Sequence, residues 1–86
     1  MAKVVVEHIW IDEDKEKLFK VVGSIIEMKN NRTLPNGFDL ESIELLSGEN
    51  RAICHWEAPG KDAMINLLSQ VNPPSRHNVY ETQRLL

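Results

Sequence analysis

The 86-residue chain has one cysteine, Cys54, so neither an internal disulfide nor a cysteine-only metal cage can form. Its glycines are isolated: Gly48 and Gly60 read as turn residues, and no glycine-rich phosphate loop occurs. Basic residues are not in excess. Ten Lys and Arg against thirteen Asp and Glu leave a net charge of −3, which excludes the electrostatic footprint of a nucleic-acid or anionic-membrane binder. No apolar run has the length of a membrane span. "MAKVVVEHIW" is interrupted at Glu7 before the core of a signal peptide could form, so a soluble cytoplasmic protein is expected. No repeat, linker or low-complexity tract divides the chain. Residues 1–86 read as one domain, able to bury roughly 60–65% of the surface its unfolded chain exposes.

What is present alternates clearly between two periods. "KVVVEHIWI" (3–11) is rich in β-branched and aromatic residues and predicts a strand. From Asp12 the spacing becomes helical, with Leu18, Val21, Val22, Ile25 and Ile26 on one stripe and Glu16, Lys17, Lys20, Ser24 and Glu27 toward water. Asp12 is the expected N-cap, and Gly23 suggests close packing of that helix on the sheet. Asn30 or Asn31 is the expected left-handed cap at its end. "FDLESIELL" (38–46) and "RAICHWEA" (51–58) follow as strands joined by the hairpin loop "SGEN". Pro59 opens a second helix, with stripe Met64, Leu67, Leu68, Val71, which Asn72-Pro73-Pro74 ends. "RHNVYETQRLL" supplies the last strand. The order β-α-β-β-α-β implies a ferredoxin-like α+β fold: one four-stranded antiparallel sheet, order 4-1-3-2, with both helices on one face. The other face is left for a second copy, and two facing sheets would enclose a barrel-like cavity for a ligand.

Chemistry concentrates in "ICHWEAP" (53–59). Alternation along the strand separates Cys54 and Trp56 from His55 and Glu57. Cys54 and His55 therefore cannot act as a nucleophile–base pair. His55 and Glu57 lie roughly 6.5–7 Å apart on one face, a spacing that lets an imidazole and a carboxylate converge on one ion. Two registers with the first strand are open. If His8 opposes Ile53, then His8, Trp10, His55 and Glu57 share a face. If it opposes Cys54, His8 sits beside the thiol and Glu7 beside His55. The small residues Ala52, Cys54 and Ala58 suit a helix-packed face and favour the first, at the cost of placing Glu7 under the helices. Each residue also has a plainer role: Cys54 as a small buried hydrophobe, Trp10 and Trp56 as core or dimer-interface aromatics, His8 and His55 as hydrogen-bonded or surface strand histidines, Glu7 and Glu57 as partners of Lys3 or Arg51, His77 as a surface residue. No spaced metal motif such as HExxH occurs. An RNA-recognition motif shares the element order but needs an aromatic, basic third strand, which "NRAICHWE" lacks.

Cys54, Trp56, Glu57, Ala58 and Pro59 form a Cys-x-aromatic-Glu-Ala-Pro run leading into an amphipathic helix and a short last strand. In this the chain resembles a small family of uncharacterised ferredoxin-like domains. Val6-Glu7 is a weaker match, with His8 where that family has a basic residue. "DLESIELLSGEN" and "NPPSRHN" depart from its pattern. The resemblance implies a dimeric α+β barrel and nickel binding.

The expected function is accordingly a homodimer, paired through the open sheet face, that binds a divalent transition metal such as nickel, or a small ligand, between the sheets. His8, His55 and Glu57 are the candidate metal ligands, and imidazole with carboxylate suits nickel, zinc or copper alike. Two alternatives are a ligand-free regulatory or structural dimer, and a cofactor-independent, monooxygenase-like enzyme with His8 or His55 as general base.

Overall fold

A computed structural model describes all 86 residues, Met1 to Leu86. Strand β1 (Ala2–Ile9) leads through a short 3-10 turn (Asp12–Asp14) into helix α1 (Lys15–Asn30). Strands β2 (Asp39–Leu45) and β3 (Arg51–Ala58), helix α2 (Lys61–Val71) and strand β4 (Arg76–Thr82) follow. The four strands form one antiparallel sheet in the order β2-β3-β1-β4. This is the ferredoxin-like arrangement expected from the element order. No helix is long and apolar enough to cross a membrane.

The core forms between the sheet and the helix layer. Val4 and Val6 of β1, Leu40 of β2, Cys54, Trp56 and Ala58 of β3, and Val79 of β4 pack with Met64 and Leu68 of α2. Ile25 of α1 closes on the same cluster. A second cluster joins Trp10 and Ala52 to Leu18 of α1. Burial strictly alternates along β3, every even-numbered residue being buried, as a strand with one covered face requires. Gly37, at φ +89°, is required twice over: the left-handed backbone disfavours a side chain, and an added Cβ would meet Pro59 Cγ at 3.1 Å.

Several local expectations are corrected. Asp12 does not cap α1; its carboxylate accepts a hydrogen bond from Asn50 Nδ2 at 2.7 Å, tying the 3-10 turn to the β2–β3 hairpin. Pro59 stays outside α2, whose N-cap is Gly60. Asn31 is right-handed, and Arg32 takes the left-handed position after α1. Asn72 does take it after α2, where its N–H donates to Leu68 O. Gly23 is not pressed on the sheet, since a Cβ there would meet nothing within 4 Å.

The largest correction concerns register. Val6 opposes Cys54 and His8 opposes Ala52, so even-numbered residues of both strands share the helix face. That is the face assignment of the second alternative, two residues further along. Its physical reason lies in Glu7, which the favoured register would have buried under the helices without a partner, at a cost of several kcal/mol. In the observed register the large apolar residues Val4, Val6 and Trp10 go inward, and the charges of β1 and β3 go outward. On the open face Lys3 pairs with Glu57 at 3.0 Å and Glu41 at 2.7 Å. Arg51 there pairs with Glu7, which also accepts from Asn78 Nδ2 at 3.0 Å. The guanidinium first, and then the amide, hold the Glu7 carboxyl below the usual carboxylate range.

Candidate functional site

The register separates the three residues selected as metal ligands. His55 and Glu57 lie on the open face, where His55 Nε2 is 3.0 Å from Glu44 Oε1 and Glu57 is engaged by Lys3. His8 lies on the helix face, on the opposite side of the sheet. Side chains on opposite faces of one sheet cannot converge on one ion, so the set His8, His55, Glu57 is not assembled within a chain. No other group of three His, Cys, Asp or Glu side chains is arranged to hold a metal.

The structure gives His8 different surroundings. It pairs with Ala52 on β3 and with His77 on β4, the imidazole centroids standing 6.3 Å apart. Its Nδ1 is 3.0 Å from the hydroxyl oxygen of Ser75, in the loop between α2 and β4. That contact engages Nδ1 and leaves Nε2 as the ring nitrogen with no hydrogen bond to the protein. Burial, and secondarily the facing His77, push the His8 pKa down to about 4. The ring is neutral at physiological pH.

Space for a ligand exists beside this ring because α1 and α2 do not come within 8 Å of each other between Cα atoms. The gap between them and the sheet forms two chambers. An inner one of about 50 Å³ lies under both helices, among Val21, Ile25, Leu67 and Val71. An outer one of about 360 Å³ opens at the α1 side, past Phe19, Gly23 and Ile26, toward Leu45 on β2. His8, Leu18, Val22, Ile43 and Cys54 line both. Nine of the eleven residues around the outer chamber are hydrophobic, and none around either chamber is a cation or a carboxylate. Trp10 forms part of the wall, edge-on to Phe19 at 6.0 Å, and its Nε1 is buried without a hydrogen-bond partner.

Cys54 is the second reactive group in the wall. It sits diagonally across from His8 on the same face, yet burial raises its thiol to about 11. A protonated thiol facing an unprotonated, weakly basic imidazole is no activated nucleophile. Moving a thiol pKa from 9.0 to about 11 lowers the thiolate fraction at pH 8 about a hundredfold. Iodoacetamide at pH 8 is therefore expected to alkylate native Cys54 about a hundredfold more slowly than the same chain in urea. Equal rates in the two states would place the thiol at the surface instead.

Sequence reading missed Ser75 and the outer chamber. The His8–Ser75 contact spans 67 residues and follows only from how β4 pairs with β1. A signal for the chamber lies in the sequence: Phe19 and Gly23 precede Ile26 at helical spacing, at the edge of the main stripe, making the apolar face of α1 wider than the sheet beneath it covers.

No protein-family model, curated protein or solved structure matches the chain.

Proposed function

We propose that the chain is a binding module for a small, mainly apolar molecule, seated in the outer chamber against His8. The carrying observation is the pairing of a nearly all-apolar cleft with one fixed, neutral imidazole whose Nε2 is unpartnered. A cleft of this size is at the lower end of the roughly 300–1,000 Å³ of small-molecule sites. Binding is favoured over catalysis because a general base works best with a pKa near the operating pH. At about 4, His8 is a hydrogen-bonding group far more than a base.

A neutral fluorescent probe, N-phenyl-1-naphthylamine, tests this reading. Its emission is expected to rise on addition to native protein and to stay low with Gly23→Leu. That substitution places a side chain in the cleft mouth while favouring the helix. Enhancement that Gly23→Leu leaves unchanged, with the fold intact by circular dichroism, would rule the cleft out.

The proposal includes a homodimer through the open face. Tyr80, 53% exposed, stands there beside Val5, and the acids and bases around them are already paired with each other. Covering the face around Val5 and Tyr80 would bury apolar surface beside charges that already have partners. Light scattering is expected to give twice the 9.9 kDa chain mass, and the chain mass alone for Tyr80→Glu. A monomeric wild type at micromolar concentration would contradict it.

A further inference from the structure

The chemistry of the cleft wall restricts what can occupy it, granted the binding reading above. Neither chamber is lined by a lysine, an arginine or an acidic residue. A carboxylate or phosphate entering it would lose its water and gain no counter-charge, and a cation would fare no better. An occupant must therefore be uncharged. A pure hydrocarbon has the opposite fault. By displacing water from the His8 edge it would leave Nε2 with no partner, and a buried polar group left unsatisfied is costlier than one that never formed its bond. The occupant must bring one polar atom to that edge.

The type of atom follows from Ser75. Its hydroxyl can donate to Nδ1, which leaves the proton on Nε2, or accept from it, which leaves Nε2 bare. A ligand hydroxyl accepts in the first case and donates in the second, so it satisfies either tautomer. A carbonyl or an ether satisfies only one. Shape comes from the mouth, where the Phe19 ring is 40% exposed and Gly23 leaves open space beside it. A flat ring system can lie there against aromatic surface.

We infer that the ligand is an uncharged, flat, largely apolar molecule of about bicyclic size carrying one hydroxyl, which hydrogen-bonds to Nε2 of His8. Ser75 is a positioning residue: it holds the imidazole so that Nε2 faces the cleft.

The test is displacement of N-phenyl-1-naphthylamine at pH 7 by three compounds of one shape: 2-naphthol, naphthalene and 2-naphthoate. The naphthol is expected to compete about three- to tenfold better than naphthalene, the ratio that one net hydrogen bond supplies, and the naphthoate is expected to be weakest. With His8→Leu the advantage of the naphthol should vanish while naphthalene binding is kept. With His8→Gln, which retains a donor and an acceptor, part of the advantage should return. Naphthoate competing as well as the naphthol would overturn the inference. So would equal binding of naphthol and naphthalene to the wild type, or an advantage that survives His8→Leu. Each of these leaves the cleft itself in place. Failure of the neutral probe to bind at all removes the cleft, and the ligand class with it.

Discussion

Trp10→Ala is expected to cost about 3–4 kcal/mol, a large part of the roughly 4–13 kcal/mol that holds a chain of this length together. Trp10 is only 6% exposed, pinned between Ala52, Leu18 and the edge of Phe19. Truncation forfeits the burial of an indole and leaves a hole that the surrounding side chains only partly fill. The lower half of the usual range applies because the cleft is already open on one side. Trp10→Phe is expected to cost much less. It retains most of the packing and removes an indole N–H that has no hydrogen-bond partner. Urea denaturation of both variants checks this. The comparison also reads the register, because in the pairing favoured on sequence grounds Trp10 faces away from the helices. A loss under 1 kcal/mol for Trp10→Ala would place it there.

Acid is expected to destabilise the wild type by about 2 kcal/mol more than His8→Leu between pH 7 and pH 4. In the folded chain His8 binds a proton only near pH 4, against an ordinary value of 6.5, so the unfolded chain is protonated first. The stability associated with the neutral ring is complete above about pH 6.5 and is lost as pH falls toward 4. The full gap corresponds to about 3 kcal/mol, which the ring's partial contact with solvent reduces to about 2. Glu7, with its pKa lowered by Arg51, also loses its contribution as pH falls through and below the ordinary carboxylate range, but equally in both proteins. The difference between the two urea-midpoint curves therefore isolates His8. Parallel curves would mean that the imidazole is solvated.

The fold was legible because its signals are local and agree. Period-two alternation in "RAICHWEA", the helical stripe through Leu18 and Ile25, and Asn72-Pro73-Pro74 after Val71 each specify one element and its end. The site was not legible, because it depends on how β1 and β3 are paired. Both strands alternate so evenly that shifting one by a single residue exchanges every face. Choosing by the small size of Ala52, Cys54 and Ala58 gave weight to helix packing. The stronger constraint was Glu7, whose carboxylate could not be buried and which the observed register delivers to Arg51 and Asn78. The plainer roles for Glu7, Glu57 and Cys54 are those the structure shows: two surface ion pairs and a buried thiol. "ICHWEAP" therefore contributes one wall residue to the cleft, Cys54, while the imidazole that matters comes from β1.

Nuclear magnetic resonance of the three histidine rings during titration with 2-naphthol distinguishes the two faces of the sheet in one experiment. The His8 ring and the methyl groups of Val22 and Ile26 are expected to shift together and to show Overhauser contacts with the naphthol, while His55 stays unchanged. Shifts and contacts at His55 and Tyr80, with His8 unmoved, would place the ligand on the open face and contradict the assignment of the cleft.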